Sequence, residues 1–175
     1  MLLFGLGLIV VSLLIMMYED YRYRAISVKF LAAFFMGSFL FGFVQNELSE
    51  WLVNFLLNSL LLVFLLLVIQ LYYKFRFRTG GCFVDTVMGK GDLLFFWALG
   101  AVFSPINFLI TLSFLSLLSI VLSLPSVIVK GRQYKLPLIS FMGLGLILEF
   151  AMVYKYDISV GSDSQLLLFV TKWIS

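Results

Sequence analysis

Residues 51–73 read Trp51-Leu-Val-Asn-Phe-Leu-Leu-Asn-Ser-Leu-Leu-Leu-Val-Phe-Leu-Leu-Leu-Val-Ile-Gln-Leu-Tyr-Tyr73, with no charged side chain anywhere in the run. About 20 such residues in a helix cross the hydrocarbon core of a bilayer. The run is apolar on every side, so it predicts lipid contact rather than one face against a soluble core. Working outward, similar runs occupy 2–18, 28–44, 107–129 (with Pro125 near its end) and 136–154. A shorter one occupies 93–103. Eleven residues reach only about 16 Å as a helix. That run is either a truncated helix inside a bundle or a segment joined to the next around Pro105. The expected fold is therefore all-α: a polytopic membrane bundle of about six transmembrane helices. One membrane-embedded domain over 1–175 with no soluble domain is the expected organisation.

Composition agrees. Hydrophobic residues make up 63% of the chain and charged residues 12%, about half the charged share of an ordinary soluble domain. The first apolar run lacks a basic flank before it and is followed by Glu19-Asp20 rather than a small-residue cleavage site, so it reads as a retained helix. Ten of the twelve Lys and Arg fall in or at the edge of the three connections after the first, third and fifth runs, leaving Lys155 and Lys172. With six spans, those three connections share one side. The positive-inside rule makes that side cytoplasmic and puts both termini outside, which predicts a multi-pass protein of the cytoplasmic (inner) membrane. Residues 165–174 are expected to form an interfacial helix anchored by Trp173.

One cysteine, Cys82, and no histidine are present. That composition excludes a disulfide framework, Cys/His zinc sites and any His-based triad. No metal site and no cofactor is expected. A net charge of +3 is too small to point to nucleic acid. The aromatic and basic run 73–78 follows a long span and reads as an interfacial anchor. Gly89-Lys90-Gly91 lacks the Ser or Thr that a phosphate loop needs after its lysine.

Carboxylates carry the remaining chemistry. Asp20 ends the first span and Asp92 begins the fourth, so the topology puts both at the same membrane face. Two carboxyls that meet can share one proton: the ionised one activates water and the protonated one polarises a peptide carbonyl. A helix C-terminus disfavours charge on Asp20 and an N-terminus favours it on Asp92, with Arg22 and Arg24 opposing the first effect, so the proton stays unassigned. Gly89 and Gly91 are expected to shape the approach to Asp92. The blander reading, solvated helix caps, stays open. Asp85 reads as a loop carboxylate. Glu19 reads as pointing to another face than Asp20. Glu149 lies within the last span, where a carboxyl is costly and is often functional.

Asp20-Tyr-Arg-Tyr-Arg-Ala-Ile-Ser27 resembles the prepilin peptidase pattern Asp-x-Arg-x-x-x-Ile-Pro, and 89–92 matches that family's Gly-x-Gly-Asp. Leu-Pro-Leu-Ile-Ser-Phe-Met-Gly-Leu-Gly at 136–145 resembles its last, Pro-bearing helix. The resemblance implies a type IV prepilin or preflagellin peptidase with Asp20 and Asp92 as catalytic pair. It implies cleavage of a short basic leader from membrane-anchored prepilin-like or pseudopilin-like substrates. Arg22, Arg24, Lys90 and Pro137 become candidates for contacting substrate or tuning the pair. Ser27 stands where Pro is usual, and Leu94 where many members carry Lys. The cytosolic loop with paired Cys-x-x-Cys motifs is missing, so the short form implies peptidase activity without a methyl-donor cofactor. Two rival readings are a non-catalytic membrane protein, such as a small transporter subunit or a degenerate family member, and a presenilin-like protease, which also uses Gly-x-Gly-Asp.

Overall fold

The computed structural model describes residues 2–77, 89–130, 138–156 and 161–163. Within them the chain forms six helices: α1 (Leu2–Tyr23), α2 (Val28–Gln45), α3 (Leu48–Phe77), α4 (Lys90–Leu99), α5 (Pro105–Lys130) and α6 (Leu138–Tyr156). There is no strand among the described residues. α1, α2, α3 and α5 are each long and apolar enough to cross a membrane, and α6 is a shorter apolar helix. The interfacial helix expected at 165–174 falls outside the described residues, as do Asp85 and Cys82.

α1 and α2 pack as a hairpin, α6 lies against α1 and α5, and α4 lies against α2. The core between them mixes aliphatic side chains with packed phenylalanines. Phe34 of α2 stacks on Phe95 of α4 at 5.2 Å. At the opposite end Phe150 of α6 meets Phe41 at 5.7 Å and Phe103 at 6.1 Å. α3 contributes little to this core. Leu56, Leu60, Val63, Phe64 and Leu67 stay exposed along it. A patch that large on a helix would aggregate in water, and it suits lipid.

α4 is the truncated, separate helix. It stops at Gly100, and Pro105 opens α5, where a missing N–H costs nothing. The turn between them has carbonyls that lipid cannot satisfy. Asn58 of α3 donates to Gly100 O at 2.9 Å and to Phe103 O at 2.7 Å. Trp51 Nε1 donates to Ala101 O at 2.9 Å. Two side chains of α3, Asn58 and Trp51, thus supply the partners that permit a helix break inside the bundle. A short α4 in turn sets Asp92, in its first turn, at the end of the bundle where α1 finishes.

Candidate active site

α1 ends because Arg24 adopts a left-handed backbone, φ 56°. That conformation is uncommon for a residue with a side chain. Its N–H caps the helix on Asp20 O at 3.1 Å. The chain then turns through 25–27 into α2. Ser27 occupies the N-cap of α2, yet its hydroxyl caps nothing. Its backbone N–H instead donates to Glu19 Oε2 at 2.8 Å. Glu19 therefore closes the α1–α2 turn.

Ser27 has φ −69°, which a proline ring would fit, but a proline would remove the N–H that Glu19 holds. Glu19→Ala is expected to cost about 1.5–3 kcal/mol in thermal unfolding in detergent, the range for a hydrogen bond to a charged group. The same change in a Ser27→Pro background should cost nothing measurable. A double-mutant cycle that comes out additive would remove the Glu19–Ser27 link.

Asp20 lies on the inner face of α1 and is only 8% exposed. Its Oδ2 accepts from Ser140 N at 2.9 Å and lies 3.1 Å from Ser140 Oγ. Ser140 is in the first turn of α6, where backbone N–H groups have no partner in their own helix. Ser140 Oγ also lies 2.8 Å from Met17 O. Sequence reading did not single out Ser140. It sits three residues after Pro137, within the stretch 136–145 that resembles the family's last helix.

Asp92 is half-buried in the first turn of α4. Its Oδ2 accepts from Gly89 N at 3.2 Å, one half of a capping box, since glycine has no side chain to complete the other half. Gly89 has an ordinary extended backbone. What glycine provides there is space, because a Cβ would come 3.2 Å from Asp92 Oδ2. A Cβ on Gly91 would sit 3.5 Å from Ile26, so the two motifs lie side by side at this pair.

Burial pushes the Asp92 carboxyl up, the Gly89 N–H partly offsets that, and the negative charge of Asp20 pushes it up further. The helix-end argument favoured charge on Asp92. Desolvation outweighs it, because the dipole of a ten-residue helix acts through one N–H whereas burial strips water from the whole carboxyl.

The other sequence candidates are placed as follows. Arg22 donates to Tyr18 OH at 2.5 Å, and its guanidinium lies 5.8 Å from the Tyr18 ring and 5.5 Å from the Tyr23 ring. It is exposed among aromatics, as an interfacial anchor would be. Arg24 is half-buried at the turn, and Lys90 is exposed at the start of α4. Pro137 lies outside the described residues. Glu149, far along α6, accepts from Thr111 Oγ1 at 2.5 Å, while its buried Oε2 has no hydrogen-bond partner among the described residues. No group of metal-ligating side chains forms among the described residues.

Residues 7–125, which hold both aspartates, match the type IV leader peptidase family. The chain belongs to that family. Membership makes it a peptidase, and the prepilin-like class of substrate comes with the family. No curated protein and no solved structure gives a significant match. The family match stops short of α6, so Ser140 enters on geometry alone.

Proposed function

We propose that this leader peptidase is an aspartyl endopeptidase that removes the short basic leader of membrane-anchored prepilin-like proteins. Asp20 and Asp92 act as one proton-sharing pair, Gly89 leaves room beside the second carboxyl, and Gly91 faces Ile26 of the first motif. The observation that carries this reading is geometric: buried Asp20 at the end of α1 and half-buried Asp92 in the first turn of α4 lie at the same end of the bundle, with Gly91 of the second motif beside Ile26 of the first. Asp20, supplied with donors by Ser140, takes a proton from water. The water oxygen forms a bond to the scissile carbonyl carbon. Asp92, whose burial favours the protonated form, gives its proton to the carbonyl oxygen. As the resulting diol collapses, the C–N bond breaks, Asp20 passes its proton to the leaving amine nitrogen, and Asp92 takes one back from a diol hydroxyl.

The whole chain acts as one membrane-embedded domain. Arg22, Arg24, Lys90 and other cations cluster toward the aspartate end, which makes it the cytoplasmic face of the inner membrane under the positive-inside rule. The test is incubation of the purified protein with a bilayer-inserted prepilin-like substrate, followed by mass spectrometry of the new N-terminus. Cleavage at the leader boundary supports the proposal. Cleavage only within the substrate's membrane helix sinks it.

The pH dependence follows from Asp92. A carboxyl raised in the folded protein stays protonated above the usual carboxylate range and ionises as pH rises through the raised value. The kcat is therefore expected to fall on the alkaline side, and Asp92→Glu should move that limb. A rate that keeps rising with pH far beyond carboxylate titration would remove Asp92 as proton donor.

A further inference from the structure

Ser140 joins α6 to the aspartate end of α1 by two contacts through one side chain and one through its amide. Both contacts to Asp20 fall on the same oxygen, Oδ2. Ser140 thus holds the carboxyl by one edge, Oδ2, and makes no contact with the other.

The hydroxyl has one hydrogen and two acceptors, Met17 O at 2.8 Å and Asp20 Oδ2 at 3.1 Å. With Asp20 ionised, a charge-assisted bond draws that hydrogen to Oδ2. Once Oδ1 takes a proton, Oδ2 becomes the weaker acceptor, and the hydrogen can turn to Met17 O by rotation about one bond. The carboxyl does not have to move between its two protonation states. A cap that served only α6 would need the amide contact alone.

We propose that Ser140 is a positioning residue that fixes Oδ2 of Asp20 through both protonation states and so reserves Oδ1 for the proton taken from water. This rests on the two-aspartate reading above. The step it serves is the one already written: a water O–H bond breaks, an Oδ1–H bond forms, and the freed electron pair goes to the scissile carbon. Ser140 acts through Asp20 Oδ2 and takes no proton itself.

The test compares Ser140→Ala and Ser140→Thr in the full chain, with kcat and KM measured on a bilayer-inserted prepilin-like substrate and thermal unfolding measured alongside. Ser140→Ala is expected to lower kcat about tenfold, as loss of one hydrogen bond to a charged group would, with KM changed less than about twofold. Ser140→Thr should restore most of the rate. In an Asp20→Asn background, Ser140→Ala should have no further effect. If Ser140→Ala does not fold, Ser140→Cys, a weaker donor of similar size, is read in its place.

A kcat within about twofold of wild type for Ser140→Ala, or equal losses for the Ala and Thr variants, overturns the positioning role. Either result leaves the aspartate pair standing if Asp20→Asn is inactive. Full cleavage by Asp20→Asn instead sinks the pair, and the positioning role with it.

Discussion

Asp20→Asn, Asp92→Asn and the double variant are expected to fall to one common residual rate, each about 10²–10⁴-fold below wild type in kcat. Removing either member removes the shared proton, so the second substitution has little left to destroy. Amide replacements keep the shape, and Asn can still accept at its carbonyl oxygen, so the Ser140 contact to residue 20 can persist. Loss of rate with retained folding therefore reports on proton transfer. A double variant slower than either single one by the product of their effects would mean two independent roles. Wild-type cleavage by either single variant would end the pair altogether.

Asp92→Asn carries a second signature, in stability. The carboxyl is raised above its unfolded value chiefly by burial, so its favourable protonated form is fully present below the unfolded value and is lost as pH rises through the folded one. An amide has no charge to bury. At alkaline pH, Asp92→Asn should then unfold at a higher temperature than wild type, and at acid pH the difference should close. A functional carboxyl held in a costly place gains stability when it is neutralised, which is the usual trade between stability and activity.

Long apolar runs and the placing of charge made the helices legible, since lipid demands both. The 93–103 run left two readings open, and what decided between them was Asn58 and Trp51 on another helix. Neither residue signals from sequence that it holds a turn more than forty positions away. The partner of Asp20 was hidden for the same reason. Ser140 looks like any small residue in an apolar helix until α6 packs on α1. Glu19 was read as facing away from Asp20, and nothing in its type showed that it would take the N–H of Ser27. The proton could not be assigned from sequence because helix ends are visible there and burial is not.

Gly42→Ala is expected to be among the most damaging single substitutions outside the aspartates. Gly42 lies where α2 meets the α4–α5 turn. A Cβ there would stand 2.0 Å from Ala101 O and 2.7 Å from Trp51 Nε1. The carbonyl is backbone and cannot rotate aside, so α2 and the turn must separate. That separation also opens the Trp51–Ala101 hydrogen bond, worth about 1 kcal/mol net and more if the carbonyl is left in lipid. With overpacking added, the cost should reach or exceed the upper end of roughly 1–3 kcal/mol. The damage should also reach the site, because α2 holds α4 through Phe34 and Phe95, and α4 carries Asp92. Gly7→Ala is the control: it too is a helical glycine, but a Cβ there meets nothing within 4 Å. It should gain up to about 1 kcal/mol from helix propensity alone. Thermal unfolding of both variants in detergent, with cleavage measured below the transition, separates the two positions. Equal stability for Gly42→Ala and Gly7→Ala would mean that α2 does not approach the turn this closely. It would also mean that the frame setting Asp92 beside α1 is not built as described.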